Sequence, residues 1–554
     1  MQNDNDLNEL IIKIREKEEE ELAQKLADVL KLKYFNLKIK HLNPEALKII
    51  DKETANNLLI LPIEKKGNNL ILGVVDPTDD RVIKFIEELK QKGYSIDLGV
   101  ISKSSFERGF IDYEFIKKDK PKYTQILEIN EEKIESIIEK LKQKEDLGKL
   151  IDEIQSSQPL LILDYLMAAA FKFDSSDIHL EPLENKVIFK LRIDGILYEV
   201  AQINKSSYLI IKNRIKLFSG LFLNITQKPQ DGRFSISLGN KKIDIRVSTI
   251  PSAYDETIVM RLLNPEKIML SLEELGFEDY ELKKINYYIY QPNGLILNTG
   301  PTGSGKTTTL YAILNKIKRT EIKIITIEDP IEYQIEGITQ TQVNISENYT
   351  FASGLRSILR QDPDVILVGE IRDEETSKIA INASLTGHLV ISTLHTNDSL
   401  GAIPRLIELG VDRSLIPSAL KLVIAQRLLR RVCNNCSQEY YPDERLLTII
   451  KNNLAYIPQD IYNSINFEKI SLLKPQGCEN CFYTGYKGRI AILELLEINE
   501  NIKKIIYQGE INEQNLLEAL KLSGFINLKQ SGILRAIKKI TTLEEVERVT
   551  GSLI

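Results

Sequence analysis

One segment near the middle of the chain constrains the fold more than any other, and it reads Gly300-Pro301-Thr302-Gly303-Ser304-Gly305-Lys306-Thr307. The preceding residues 294–299 are apolar enough to form a buried strand, and residues 308–314 favour a helix. Glycines at this spacing let backbone N–H groups turn around an anion, and the N-terminus of the following helix adds a positive dipole end. The segment therefore predicts a phosphate-binding loop between a strand and a helix of an α/β fold.

The residue types of the loop indicate which ligand it would hold. Lys306 can reach the β- and γ-phosphates of a nucleotide, and the Thr307 hydroxyl can ligate Mg²⁺. Thr308, at the start of the expected helix, completes the binding set. The alternative is a chance glycine loop, and the match at every position and at both flanks argues against it. We expect ATP and Mg²⁺ as ligands.

Length and composition limit the class of protein. A chain of 554 residues is expected to form about three or four domains. Its 43% hydrophobic and 27% charged residues are ordinary for a globular protein, and no run of apolar residues is long enough to span a membrane. The polar, acidic first residues are unlike a secretory signal, so we expect a cytosolic protein. The net charge of −6 argues against a dedicated nucleic-acid surface, although not against a local basic groove.

The four cysteines of the chain form two closely spaced pairs, Cys433 with Cys436 and Cys478 with Cys481. In a cytosolic chain this pattern favours thiolate metal ligation over disulfides, and four thiolates suit a structural Zn²⁺ because they leave no open position for catalysis. The gap between the pairs is longer than in common zinc ribbons, so we expect a helical insertion there. Four reduced structural cysteines are the alternative.

The rest of the chain divides by composition. Residues 5–110 indicate a small α/β unit that begins with a charged helix, and we expect its acidic run at 15–21 to be a solvated face. Residues 117–149 are rich in Lys, Glu, Asp and Gln, which predicts a linker and an exposed helix. A second unit begins near Asp152. From about residue 270 apolar strands alternate with helices, the pattern of a parallel sheet covered on both faces.

Three polar clusters, at 324–333, 362–373 and 386–398, each follow or flank an apolar strand. The carboxyl ends of parallel strands meet at one edge of a sheet, so we expect these clusters to converge on the phosphate loop. Glu370 follows a strand that resembles a Walker B segment, and it could hold a Mg²⁺-bound water or polarise the attacking water. Glu332 competes for the second role.

Two of the four histidines, His388 and His395, bracket the strand of the third cluster. They stand at odd spacing, so on a regular strand they point to opposite faces and at most one faces the γ-phosphate. We count both as catalytic candidates; the alternative is that each is a packed, hydrogen-bonded histidine.

In this order, the clusters resemble the secretion ATPase superfamily, the GspE/PilB type that powers type II secretion and type IV pilus assembly. They correspond to its Asp box, Walker B and His box. The resemblance covers residues 150–554 and continues through 175–182, 191–195, 229–233, 246–249, 426–428, the four cysteines and 541–550. The first 110 residues resemble the family's N-terminal domain only loosely, through residues 61–63 and 75–77.

The resemblance implies a homohexameric ring in which ATP lies between a PAS-like and a RecA-like domain. It implies arginines of the middle domain that reach the phosphates, and the matching positions are Arg233, Arg246 and Arg261; the alternative is that they are surface arginines on strands. The implied bounds are an N-terminal α/β docking domain at 1–115, a linker at 116–150, a PAS-like middle domain at 151–265 and a RecA-like ATPase domain at 266–554, which includes the zinc subdomain at 426–495 and a helical tail at 498–554.

Three departures from the family pattern are visible. Residues 224–229 are less basic than in the family, and Asp255-Glu256 stands where Gly-Glu is usual. The arginine–leucine–glycine motif by which some N-terminal domains of the family bind cyclic di-GMP is not visible between Leu7 and Leu32, so we do not predict that ligand.

The resemblance implies a cytoplasmic ATPase at the inner-membrane face that drives assembly of a pilus or pseudopilus. Its implied partners are an inner-membrane platform protein and a membrane-anchored docking subunit, with no direct contact to nucleic acid. Three alternatives stay open: a RecA-like motor that moves nucleic acid, a pilus ATPase for DNA uptake, and a nucleotide-regulated scaffold that does not hydrolyse ATP.

Overall fold

The computed structural model describes residues 2–36, 42, 44–47, 49–110, 113, 126–128, 131–238, 241–263, 270–521 and 523–553. The chain divides into two compact units, 1–123 and 124–554. The domain boundaries expected at 115 and 265 lie outside the described residues. Among helices in the described ranges, none is both long and apolar enough to cross a bilayer.

The first unit is a four-stranded sheet with helices. Its elements are α1 Gln2–Leu30, β1 Lys33–Tyr34, α2 Pro44–Leu47, α3 Lys52–Leu58, β2 Ile60–Lys66, β3 Asn69–Val74, α4 Asp80–Gln91, β4 Ser95–Val100 and α5 Lys103–Phe110. The strand order is β1-β4-β3-β2, in which β4 is parallel to both of its neighbours and β2 is antiparallel to β3. The expected small α/β unit is present.

The acidic run of α1 is only partly solvated. Glu20 is buried against α5, where it accepts hydrogen bonds from Ser105 Oγ and Arg108 Nη2, both at 2.9 Å, and from the Tyr34 hydroxyl. Burial alone would raise the pKa of Glu20, but these donors outweigh it and lower the pKa. The expectation of a solvated face is therefore wrong for Glu20, because α5 supplies a cation and a hydroxyl, and β1 supplies a second hydroxyl, that composition does not reveal.

The first part of the second unit, which we call the middle module (residues 126–263), is a seven-stranded sheet with four helices. Its elements are β5 Ile126–Glu128, α6 Glu131–Lys140, α7 Asp146–Ile154, α8 Ile162–Lys172, β6 Asp177–Pro182, β7 Val187–Ile193, β8 Ile196–Ile203, α9 Lys205–Phe218, β9 Gln230–Leu238, β10 Lys241–Pro251 and β11 Glu256–Leu263. The order is β5-β9-β10-β11-β6-β7-β8. Residues of β7 alternate between buried and half-buried, so one face of the sheet forms the core and the other is polar.

Helix α6 and the first half of helix α7 lie within the range 116–150 that was expected as a linker. Ile134, Ile137 and Leu141 recur every three or four residues and enter the core of the middle module together with Leu147. The charged composition of this stretch hides that apolar stripe. Residues 131–154 therefore pack into the middle module rather than bridging domains.

The remainder of the second unit, which we call the ATPase half (residues 270–553), is a seven-stranded sheet covered on both faces. Its elements are α10 Asp279–Ile289, β12 Gly294–Thr299, α11 Lys306–Ile317, β13 Ile324–Glu328, β14 Thr339–Gln342, α12 Phe351–Ile358, β15 Val365–Val368, α13 Glu374–Leu385, β16 Leu389–Leu394, α14 Ala402–Glu408, α15 Ile416–Ala419, β17 Leu420–Val432, β18 Gln438–Tyr440, α16 Glu444–Leu454, α17 Gln459–Ser464, β19 Leu472–Lys474, β20 Tyr486–Glu497, α18 Glu500–Gln508, α19 Glu513–Lys521, α20 Leu528–Ile537 and α21 Leu543–Thr550.

The strand order of this sheet is β14-β13-β15-β16-β12-β17-β20, and all neighbours are parallel except β17 and β20. Every residue of β12, β13, β15 and β16 is buried, because separate apolar cores lie on the two faces of the sheet. The expected parallel sheet is confirmed, and so is the helical insertion between the cysteine pairs, which contains α16 and α17.

Candidate nucleotide site and metal centre

The phosphate loop follows β12 as a cradle of backbone. Gly300 and Gly305 have φ of 147° and 88°, and a Cβ added at them would lie 2.6 Å from the Gln426 carbonyl oxygen and 2.8 Å from Gln426 Nε2. Gly305 caps α11 without a side-chain hydrogen bond, so the first N–H groups of that helix are left for an anion. Ser304 Oγ is buried without a hydrogen-bond partner among the described residues. These features fit a bound phosphate group.

Lys306 is held across this loop. Its ammonium donates to the Gly300 and Pro301 carbonyl oxygens at 2.7 and 3.0 Å. Burial lowers the pKa of Lys306, the nearby Arg427 lowers it further and Glu370 opposes both. Thr307 is exposed beside it. A phosphate placed in the cradle would offer the ammonium an anionic partner in place of two carbonyls.

A carboxylate cluster lies at the end of β15. Glu370 is buried, and its Oε2 lies 3.2 Å from His395 Nε2 and 2.5 Å from Arg372 Nε. The Thr393 hydroxyl donates to the Gly369 carbonyl at 2.8 Å and so ties the end of β15 to β16. The structure thus brings Glu370 and His395 together at the sheet edge where the phosphate loop lies.

His388 lies at the other edge. It precedes β16, its carbonyl accepts from Gly294 N at 3.2 Å, and its Nδ1 lies 3.0 Å from the Ala383 carbonyl oxygen. Gly294 begins β12 and the phosphate loop follows its end, so His388 is separated from the loop by a strand of about 20 Å. The contacts of His388 are those of a packed histidine, which is the alternative stated above for this residue.

Glu332 lies in the loop after β13 and contacts the middle module. Arg246 Nη2 lies 2.8 Å from Glu332 Oε2 and donates to the Ile331 carbonyl at 3.1 Å. This ion pair joins a strand of the middle module to the polar edge of the ATPase sheet.

The three arginines expected at the phosphates lie side by side in the middle module. Arg233, Arg246 and Arg261 are directly paired across β9, β10 and β11, so they share the polar face of the sheet. The row continues to Asp177 of β6, whose Oδ1 accepts from Arg261 Nε at 2.9 Å. Arg246 contacts the ATPase half, Arg261 is held by Asp177, and the Arg233 side chain is exposed.

Comparison with known proteins places this arrangement in a family. The family model described as "Type II/IV secretion system protein" matches residues 153–548. The chain belongs to the Type II/IV secretion system protein family. The model described as "MshEN domain" matches residues 30–114, a more definite assignment of the first unit than its loose resemblance allowed.

Two relatives cover most of the chain. Type II secretion system protein E of Dickeya dadantii is 39% identical over 86% of this chain and 92% of its own length. The type IV pilus assembly ATPase PilB of Myxococcus xanthus is 36% identical over 94% of this chain and 90% of its own length. Among solved structures, the Legionella pneumophila ATPase DotB is 20% identical with a TM-score of 0.51, over 70% of this chain and 95% of that chain, and shows the same fold. Family and phosphate loop together make the chain a secretion ATPase.

Two residues of this secretion ATPase support the loop from β17, and the sequence assigned neither a role. Gln426 is buried, and its Oε1 accepts from Thr309 Oγ1 at 2.8 Å and from Asn298 Nδ2 at 3.3 Å. Arg427 is half-buried beside Lys306 and donates to the carbonyl of Gln426 at 3.0 Å and to that of Asn397. The sequence offered one indication of this role, because both residues lie in the segment 426–428 that resembles the family.

The sequence also gave no role to Glu328. It ends β13 and is buried, and it accepts from the Tyr311 hydroxyl, from Thr326 Oγ1 at 2.6 Å and from Gln340 Nε2 at 3.2 Å. Because Tyr311 lies on α11, Glu328 anchors the helix that follows the phosphate loop. An acidic residue at the end of an apolar strand was the signal in the sequence.

The four cysteine sulfurs of this secretion ATPase lie within 4.8 Å of one another. Cys433 Sγ is 3.9 Å from Cys478 Sγ, and Cys481 Sγ is 3.8 Å from both Cys436 Sγ and Cys478 Sγ. Four sulfurs at about 2.3 Å from a tetrahedral ion would be about 3.8 Å apart, so the donor set fits one such metal. Backbone N–H groups of Gly477 and Gly485 donate to two of the sulfurs at 3.2 and 3.3 Å.

Proposed function

We propose that this secretion ATPase powers assembly of a type II secretion pseudopilus or a type IV pilus by coupling ATP hydrolysis to movement of its middle module. The observation that carries the proposal is the contact of Arg246 with Glu332, next to the sheet edge that carries the phosphate loop and Glu370. A nucleotide-dependent change at that edge can move the middle module only if a contact such as this ion pair connects the edge to the module. The relatives named for these two machines support the choice of apparatus.

In this proposal the loop residues Gly300–Thr308 bind the phosphates of ATP. The backbone N–H groups and Lys306 hold the β- and γ-phosphates, and the Thr307 hydroxyl would hold Mg²⁺, which supplies charge neutralisation when bound. Glu370 orients or polarises the attacking water, and His395 fixes its carboxylate through the 3.2 Å contact. Glu332 is the second carboxylate candidate.

Arg246 has two alternative partners in this cycle. In the described state its guanidinium pairs with Glu332, and in the proposed closed state it reaches the γ-phosphate together with Arg233. An arginine that neutralises transition-state charge is worth about 10³–10⁵ in rate. Arg261 contributes through the same row, and its pairing with Asp177 supports a positioning role.

The four sulfurs would hold one Zn²⁺ in a structural site, since all four tetrahedral positions are thiolates. The zinc would fix the insertion between the cysteine pairs to the ends of β17 and β20.

The proposed assembly is a homohexamer at the cytoplasmic face of the inner membrane. The N-terminal domain (1–115) docks on a membrane-anchored subunit, and the ring acts on an inner-membrane platform protein without direct contact to nucleic acid. We retain the middle domain up to 265 and the ATPase domain at 266–554, and we assign residues 131–150 to the middle domain because α6 and α7 pack there.

Phosphate release by the purified full chain tests the catalytic part. Release that saturates with ATP and rises with ring formation is expected, whereas ATP binding without release would show a scaffold. Affinity capture from membranes then tests the apparatus. Recovery of an inner-membrane platform protein is expected, and recovery of nucleic acid alone would overturn the assignment.

A further inference from the structure

The segment 478–485, which carries the second cysteine pair and which we call the cysteine loop, contacts the middle module. Phe482, next to Cys481, packs edge-on against Phe173 with ring centroids 4.6 Å apart. Phe173 is fully buried at the end of α8, and Phe482 packs against the core of the middle module. Six residues after Phe482, the backbone N–H of Gly488 donates to Asp194 Oδ2 at 2.9 Å. Phe482 in the loop and Gly488 at the start of β20 therefore make an aromatic and a polar contact with the same module.

The backbone of this loop has a left-handed conformation that residues other than glycine rarely adopt. Phe482 and Tyr483 have φ of 50° and 59°. The turn is held by hydrogen bonds from Phe482 N to the Glu479 carbonyl at 3.1 Å and from Tyr483 N to the Cys478 carbonyl at 2.9 Å. Such conformations persist where the surroundings determine them, and here the turn follows directly on Cys481 and is hydrogen-bonded back to Cys478, two of the four clustered cysteines. The cluster thus sets the direction of the Phe482 ring.

Both contact points on the middle module lie close to the arginine row. Four residues after Phe173, Asp177 begins β6, and in the sheet it is paired with Arg261 on one side and Arg192 on the other. Asp194 stands in the turn only two residues after Arg192. The row then continues through Arg246, which contacts Glu332. A shift of the module at Phe173 and Asp194 would therefore displace the arginines.

We propose that Phe482 is a positioning residue: the cysteine loop presents its ring to the middle module and so sets where the arginine row lies relative to bound ATP. The inference rests on the proposed role of Arg246 in hydrolysis. It assigns the cysteine cluster a part in turnover although the cluster does not touch the nucleotide. Loss of the ring should lower kcat and leave both the metal and ATP affinity in place.

The test uses the full chain and compares Phe482→Ala with Tyr483→Ala, a matched control on the same loop whose side chain is 51% exposed. For Phe482→Ala we expect one zinc per chain, ATP affinity within about twofold of the parent and kcat lower by about tenfold or more. Phe482→Tyr keeps the ring and should recover most of the rate. Tyr483→Ala should match the parent in all three measurements.

Asp194→Gly tests the same contact from the other side without altering the cysteine loop. Asp194 has a φ of 47°, which glycine adopts without strain, so the substitution removes only the acceptor for Gly488. We expect reduced kcat with unchanged zinc content. Full kcat in both Phe482→Ala and Asp194→Gly would overturn the inference, and if Phe482→Ala loses zinc, Asp194→Gly decides alone. Full kcat in Arg246→Ala would instead overturn the proposed function, so the two failures are distinguishable.

Discussion

At the scale of single residues, the site depends on charges held in place before any ligand arrives. Lys306 lies across the loop on two carbonyl oxygens, and Glu370 is buried between His395 and Arg372. Preorganised charges of this kind stabilise developing charge without the cost of reorganisation during the reaction.

Replacing Lys306 with alanine should weaken ATP binding by about 10- to 100-fold, because a charge-assisted hydrogen bond is worth about 1.5–3 kcal/mol. Titration with a fluorescent ATP analogue measures the change. Lys316→Ala is the matched control, since Lys316 lies on the same helix and pairs with Glu273 instead. Near-parental affinity in Lys306→Ala would overturn the loop assignment.

Glu370→Gln and Glu332→Gln should bind ATP normally and hydrolyse it about 10²–10³-fold more slowly, since they remove charge near the water and leave the cradle whole. Single-turnover phosphate release separates their contributions. The exposed Glu374 offers a control, as Glu374→Gln alters a carboxylate on α13 that pairs with Lys378. If either variant hydrolyses ATP at the parental rate, the carboxylate that it lacks has no catalytic role.

At the scale of elements, β17 links the two sites of the ATPase half. Gln426 on this strand supports the phosphate loop, and Cys433 follows the last residue of the strand. The distance along the strand is about 23 Å. The antiparallel partner β20 begins just after the second cysteine pair, so both strands enter the cysteine cluster from the sheet.

Cys478→Ser should release the metal and unfold the region 430–490 while the nucleotide site still binds ATP. Structural zinc contributes about 10–16 kcal/mol of binding free energy in small peptides, and that energy becomes folding energy of the local unit. Elemental analysis should find one zinc per parental chain, and hydrogen exchange should report faster opening in the variant. Ser437→Ala serves as the control. A parent that contains no zinc when purified without chelator would contradict the site.

At the scale of the whole molecule, the second unit combines two sheets whose functional residues meet through Arg246 and Glu332. Arg233→Ala and Arg246→Ala should each lower kcat by orders of magnitude and ATP affinity much less, because their contact matters most as transition-state charge develops. Steady-state kinetics gives the split between kcat and KM. Lys242→Ala, on the same strand as Arg246, should behave like the parent. Equal losses in affinity and rate would indicate ground-state binding instead.

Several features could be predicted because they depend on residues close together in the chain. The phosphate loop, the strand before it and the helix after it follow from one short segment, and the paired cysteines from another. The polar cluster that contains Glu370 could be predicted for the same reason, since a carboxylate after an apolar strand marks the edge of a sheet. The prediction of a linker at 131–150 was wrong because the segment is mostly charged and the apolar stripe of α6 and α7 contains few residues.

The strand and helix around the phosphate loop, the chemistry of that loop and the sulfur donors follow from the sequence alone, because each is a local property of backbone conformation and side-chain type. Which distant groups meet depends on the three-dimensional packing of the chain. The direction of β16 put His395 beside Glu370 and His388 at the far edge of the sheet. Packing between the modules joined Arg246 to Glu332 and Phe482 to Phe173. Such partners are selected by burial and charge pairing across the fold, for which spacing along the chain carries no signal.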